Sequence, residues 1–405
     1  MENWHQDYDE LKNYIKEHPS IEITPSVTVM LDDVRPGFYR LFDKVRAAFV
    51  KEKYPALLAE AMQLSANFPA ARTATMACLN LKEVVVSPYL TDLLQDPTSG
   101  LMRPLFEPLF ALLQGKNNIE AFEQTAPNLV ETSAKTLLHK GYVNWTALSL
   151  INLMAPDEAH LVSVIDDTDE PDLTSAWTFP GWYTEELPKM RVADADRLPL
   201  HFSMYTRFQV PRVILHSGVL NTFAAISTDF HDTYRRGKDL SKQLEWYSIE
   251  EIRRKYGIGD LWPDMVLVLG DSAEDLRIAA DYSNIARPDV IVEVMEAGDW
   301  YQAGGLEKVK RHKDILKPRL GAFVVCRQPV PQAAIEELIP PPVQPVQAAT
   351  PATEGAGQAL PVADTAPAVS AGEPCHDIHL LSVGYDAGAL EPIVEAMRKL
   401  RTVGS

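Results

Sequence analysis

The sequence predicts an α/β protein, or a mixed α+β one, with a helical N-terminal domain ahead of a sheet domain. Three observations carry this. Apolar residues recur at helical spacing through residues 1–155. From Val210 to Arg327, short β-branched runs alternate with helical stretches, the signature of a sheet with crossover connections. A Pro- and Ala-rich tract then separates this region from a short C-terminal unit.

Residues 1–155 read as an all-helical domain. Phe38, Leu41, Phe42, Val45 and Phe49 repeat straight after Pro36-Gly37, and Leu57, Leu58, Met62 and Leu64 follow Pro55. Leu105, Leu109, Leu112 and Leu113 form a stripe closed by Gly115. The spacing predicts a helix over Leu129–His139, with Pro127 near its start and Gly141 just past its end, and another over Trp145–Met154. No fixed repeat marks a solenoid. This part reads as a packing or partner-binding unit without a catalytic cleft.

Residues 156–200 are transitional. Asp166, Asp167, Asp169, Glu170 and Asp172 lack the glycine and distal glutamate of a calcium loop, so they read as a solvated turn. Thr178 to Trp182 is a second turn with aromatic flanks. The α/β domain spans 201–339. In it VPRVIL is a strand and His216–Lys238 a helix, with Val219, Phe223, Ile226 and Phe230 on one face. Ser248–Tyr256 is a shorter helix. Trp262 to Arg327 then reads as strand, helix, strand, helix, strand, largely parallel. Residues 340–374 lack large apolar side chains and are expected to be a disordered linker. Residues 375–405 form one βα unit, too small for its own core, which must dock on the sheet or on a partner.

The chain has 405 residues, 46% of them hydrophobic, enough for a sizeable core. No run of eighteen apolar residues exists, so no membrane span is expected, and the polar N-terminus resembles no targeting peptide. Cys78, Cys326 and Cys375 lie far apart, which fits a reducing cytoplasm. A net charge of −18 argues against a general nucleic-acid binder. Residues 200–330 are nevertheless neutral. Their basic residues bunch at Arg235, Arg236 and Lys238, at Arg253, Arg254 and Lys255, and at Lys308, Lys310, Arg311 and Lys313. These are solvated helix faces or a path for substrate phosphates.

One residue stands out chemically. Glu293 sits inside Val-Ile-Val-Glu-Val, and an ionised carboxylate in an apolar strand is costly unless it is paired or coordinated. Strand alternation puts Asp289, Ile291, Glu293 and Met295 on one face and Val290, Val292 and Val294 on the other. If the strand beginning at Asp264 is its neighbour, the carboxylates of Asp264 and Glu293 meet. Two such groups bind Mg²⁺ or Mn²⁺, which prefer oxygen ligands, and the metal can activate water against a phosphodiester. Without metal, their mutual repulsion should raise one of the two pKa values.

The order of parts resembles the PD-(D/E)xK restriction-endonuclease-like superfamily, and within it the Uma-type family. The matching pieces are Pro263-Asp264 with MVLVLGD, Pro288-Asp289 with VIVEV, Glu307-Lys308, and AFVV at 322–325. The superfamily's usual lysine position is Met295, and by the Uma-type pattern the lysine falls at Lys308. An upstream acidic element of the family has no counterpart. The resemblance implies a restriction-endonuclease-like sheet domain and a nuclease with DNA as substrate. It also implies Mg or Mn as cofactor, Asp264 and Glu293 as metal ligands, and Lys308 as the water-positioning cation. Helical geometry alone leaves the lysine open: Leu306, Val309 and Leu316 define an apolar stripe with Lys313 on it and Lys308 and Lys310 at its flanks. Lys310, Lys313 and Asp289 are therefore reserve candidates.

The alternative is a non-enzymatic α/β module binding a small ligand, or protein partners through its N-terminal domain or C-terminal unit. Topology separates the two. A mixed sheet that brings Asp264 to Glu293 favours the nuclease; an all-parallel sheet with the two far apart favours the module. His216, His231 and His312 read as surface or capping residues, and Cys375, His376 and His379 as an accidental cluster rather than a zinc site. Ser217-Gly218 and Gly384 to Gly388 each follow a strand, as phosphate-binding turns do, but neither has the spacing of one.

Overall fold

Pro36, Pro55, Pro88 and Pro97 stand in the first turns of four N-terminal helices, where the missing N–H had no partner to lose. The computed structural model describes residues 3–165, 189–202, 212–228, 246–248, 263–273, 275–276, 284–339 and 377–403. Its N-terminal helices are α1 (Trp4–Glu17), α2 (Arg35–Lys53), α3 (Pro55–Cys78), α4 (Pro88–Gln95), α5 (Pro97–Met102), α6 (Phe106–Leu113) and α7 (Ile119–Leu153). The region is helical but not all-helical. Strands β1 (Ile21–Ile23) and β2 (Thr28–Met30) make a small antiparallel ladder. A third strand, β3 (Glu83–Val85), pairs in parallel with a strand beyond the region, at Pro199–His201.

Helix α7 corrects the sequence reading further. Two helices separated at Gly141 are expected; one helix of 35 residues runs through both Pro127 and Gly141. Gly141 is a packing site rather than a stop. A Cβ there would lie 2.4 Å from Leu64 Cδ2 on α3.

The remaining strands are β4 (Pro156–Ile165), β5 (Lys189–Asp194), β6 (Pro199–His201), β7 (Val213–Ser217), β8 (Thr222–Thr228), β9 (Trp246–Ser248), β10 (Met265–Gly270), β11 (Asn284–Ala286), β12 (Val290–Met295), β13 (Ala322–Cys326) and β14 (Ile378–Ser382). Three further helices are α8 (Gly305–Leu316), α9 (Gln332–Leu338) and α10 (Glu391–Val403). The main sheet has the order β14-β13-β12-β10-β8-β7-β4-β5. It is mixed, not largely parallel: β12, β13 and β14 run parallel, and every other neighbouring pair is antiparallel.

The expected helix from His216 contains a strand instead. The Leu220 N–H donates to Ser217 Oγ at 3.2 Å, and Asn221 adopts a left-handed φ of 49°, so the chain turns back. Thr222, Ile226 and Thr228 then favour the extended form of β8. Ser248 closes β9, and the rest of the expected helix to Tyr256 lies outside the described residues. So do the acidic run at 166–172, the turn at 178–182, the 340–374 linker, His231, Cys375, His376 and the basic bunches at 235–238 and 253–255.

The sheet separates two cores. Leu267, Val292, Val294, Phe323 and Val325 join the N-terminal helices and α10 in one continuous cluster, so the helical region and this sheet face share a core. On the other face Ile291, Met295, Val324 and Cys326 pack under Leu306, Val309, Ile315 and Leu316 of α8. No helix among the described residues is long and apolar enough to cross a membrane.

Candidate active site

Register decides which carboxylates meet. Met265 pairs with Val292 across the antiparallel β10–β12 ladder, so the residue before β10, Asp264, stands opposite Glu293. Directly opposed residues share a face, which here is the face covered by α8.

Glu293 is fully buried, and its charge is met from α8. Lys308 Nζ lies 3.0 Å from Oε2, and His312 Nδ1, one helical turn on, meets Oε1. That pairing answers the burial cost that makes a glutamate in an apolar strand conspicuous. Asp264 is held twice. Its Oδ2 accepts the Val294 N–H at 2.8 Å, and its Oδ1 lies 2.9 Å from His139 Nε2. The other ring nitrogen of His139 is 2.7 Å from Glu296 Oε2. An imidazole between two carboxylates donates from both nitrogens and so carries a positive charge.

The electrostatics agree. Burial opposes the His139 charge, but the Asp264 charge and the hydrogen bonds to Asp264 and Glu296 outweigh it and lift the pKa to about 10. Burial opposes ionisation of Asp264, yet the charges of His139 and Lys308 hold its carboxyl below the usual value. This is opposite to the rise that repulsion between two carboxylates would give, because the cations His139 and Lys308 face Asp264. Burial likewise works against the Lys308 charge, and Asp264, Glu293 and Glu296 together raise the amine above its ordinary pKa.

The reserve candidates lie elsewhere. Asp289 Oδ2 accepts the Leu269 N–H at 2.6 Å and Arg319 Nη2 at 2.9 Å. It braces the opposite end of β12, away from Glu293. Lys310 pairs with Glu307 and Glu337, and Lys313 lies 3.9 Å from Asp377. Lys308, Lys310 and Lys313 of α8 are thus each engaged by carboxylates of the chain itself. Of the predicted residues, Asp264, Glu293 and Lys308 converge; Asp289, Lys310 and Lys313 do not.

Three residues of the site escaped sequence reasoning. His312 reads as a surface or capping residue but is buried against Glu293; its place four after Lys308, on the same helix face, was the available signal. Glu296 follows the strand end and carried none. His139 comes from α7, a region expected to have no chemistry, and only the tertiary fold brings it to Asp264. Nearby contacts seat that region on the ends of the parallel strands. Arg327 Nη2 meets Glu60 Oε1 of α3 at 3.0 Å, and Tyr142 Oη donates to the Gly384 carbonyl at 2.6 Å.

Among the described residues, no three His, Cys, Asp or Glu side chains form a group able to cage a metal ion. Asp264 and Glu293 instead offer two carboxylates. That donor set suits Mg²⁺ or Mn²⁺, which keep several waters and share substrate phosphates, and does not suit a structural zinc. No protein family, curated protein or solved structure matches the chain. Function must be read from this chemistry.

Proposed function

We propose that the chain is a Mg²⁺- or Mn²⁺-dependent phosphodiesterase of restriction-endonuclease-like architecture, acting on DNA. The observation that carries this reading is the convergence of Asp264, Glu293 and Lys308 where an antiparallel strand pair meets a crossover helix. The mixed sheet supports it over an all-parallel module.

When bound, the divalent cation supplies an activated water and stabilises charge developing on the scissile phosphate. Asp264 and Glu293 would hold it. Lys308, with its side chain 44% exposed, is placed to orient the attacking water or to meet a non-bridging phosphate oxygen. His312 fixes the rotamer of Glu293, and the Val294 N–H fixes that of Asp264. A second reading, a non-catalytic module for protein partners, is favoured by the net charge of −18 and by the ion-paired face of α8.

The test is to incubate wild type and Glu293→Gln with plasmid DNA, with and without Mn²⁺, alongside melts with and without metal. The proposal expects Mn²⁺-dependent cleavage by wild type alone, and a metal-dependent gain in stability that the variant loses. A wild type that neither cuts nor gains stability from Mn²⁺ overturns it in favour of the module.

A further inference from the structure

The oxygens of Asp264 and Glu293 already face protein donors or cations, although among the described residues Glu293 Oε2 has only the Lys308 ion pair and no hydrogen bond. Val294 N–H and His139 take those of Asp264, and His312 and Lys308 take those of Glu293. A cation entering between the two carboxylates therefore meets the charged groups that already cover them, and must compete with those groups for the same oxygens. Val294 is part of β12 and His312 is buried, so neither has water to retreat into. The side chains of His139 and Lys308 are 32% and 44% exposed, and both can move into solvent. Lys308 comes from the same α/β unit as the carboxylates. His139 comes from α7, in the N-terminal helical region.

We propose that α7 is a latch on this site: His139 occupies the Asp264 oxygen that a divalent cation would take, and the helical region holds the site closed until His139 withdraws. The inference rests on the metal-binding reading above and adds its regulation. Two further contacts brace the latch. Tyr142, less than one turn along α7, bonds the Gly384 carbonyl after β14, and Glu60 of the neighbouring α3 pairs with Arg327 after β13. His139 also links Asp264 to Glu296, so a single side chain ties the start of β10 and the end of β12 to the helical region. Anything that lifts α7 from the strand ends, whether a partner protein or the substrate itself, would free the ligand oxygen. Coupling between two such events typically changes affinity by about 5- to 150-fold.

The experiment measures Mn²⁺ binding to the full chain by calorimetry, for wild type, His139→Ala, His139→Gln and Glu293→Gln. Hydrogen exchange of residues 136–145 is followed with and without Mn²⁺. Melts establish that each variant is folded, and the glutamine variant keeps the size of the side chain should alanine disturb packing. The latch expects both His139 variants to bind Mn²⁺ about tenfold more tightly than wild type, and Mn²⁺ to speed exchange in α7 of the wild type. The exchange readout separates a latch from the mere loss of a nearby positive charge, which would tighten binding without loosening α7. If His139 variants bind no more tightly, or if Mn²⁺ leaves α7 exchange unchanged or slower, the latch is overturned while the metal site stands. If the folded wild type and His139 variants show no Mn²⁺ binding that Glu293→Gln removes, the metal reading fails and the latch fails with it.

Discussion

Lys308 and His312, one turn apart on α8, hold the two oxygens of Glu293 from a single helix face. Were Glu293 an unpaired buried charge, Glu293→Gln would relieve the metal-free protein. The pairing reverses the sign. A glutamine amide keeps one acceptor oxygen but removes the charge that Lys308 and His312 meet, so the contacts lose the charge assistance of the carboxylate. Because Lys308 reaches solvent, the loss is close to that of one charge-assisted hydrogen bond, about 1–3 kcal/mol. Urea unfolding of metal-free wild type and variant checks it; a variant as stable as wild type means that the two contacts contribute nothing net.

Asp289 illustrates how a Pro-Asp pair can look like a ligand and be a brace. Burial pushes its carboxyl pKa above the usual value, with Arg319 opposing. Asp289→Ala leaves the buried Leu269 N–H without its acceptor, while Arg319 can turn to water. A destabilisation of about 1–3 kcal/mol is expected, with Mn²⁺ affinity unchanged. A loss of metal binding in a variant that remains folded would return Asp289 to the ligand set.

The strand-borne half of the candidate site was legible in the sequence, for a physical reason. A charge inside Val-Ile-Val-Glu-Val is a local anomaly that needs no knowledge of the fold, and strand alternation fixes its face. The antiparallel pairing of β10 with β12 was not readable, because the connection between two strands says little about their relative direction when its own structure is ambiguous. Residues 216–238 illustrate the ambiguity: Val219, Phe223 and Ile226 fit a helical stripe, yet Val219 falls in the turn and the other two in β8. His139 was beyond reach altogether. Its role exists only because a 35-residue helix crosses the strand ends more than a hundred residues before the strands it meets.

Acid should weaken the small two-stranded ladder that ties β3 of the helical region to β6. His201 lies in β6, which pairs with β3, and its Nε2 is buried without a hydrogen-bond partner. Burial lowers its pKa, with Glu83 opposing and Arg212 reinforcing. A base whose folded pKa is depressed binds its proton more readily when unfolded. Its contribution to stability is therefore present above the unfolded pKa of about 6.5 and is lost as pH falls through the lower folded value. His201→Gln, which does not titrate, should melt with a flatter dependence between pH 7 and pH 5. Parallel curves for the two proteins would rule out His201 as a source of acid sensitivity.

Gly141 is expected to give a substitution whose sign depends on its neighbour. Replacing a glycine inside a helix by alanine ordinarily stabilises by about 1 kcal/mol. At this position the new methyl would lie 2.4 Å from Leu64 Cδ2 and 3.2 Å from Leu90 Cδ1, both from buried leucines. Overpacking of that kind costs about 1–3 kcal/mol, enough to cancel or exceed the helical gain, so Gly141→Ala should be neutral to destabilising. Leu64→Ala alone should cost about 2–5 kcal/mol through the cavity it opens. Within that background the methyl at 141 enters the space Leu64 vacated, and Gly141→Ala should then stabilise. Chemical unfolding of the four proteins in the cycle measures the reversal directly. If Gly141→Ala stabilises wild type and the Leu64→Ala background by the same amount, α3 and α7 are not in the close contact described, and the seating of His139 two residues earlier loses its support.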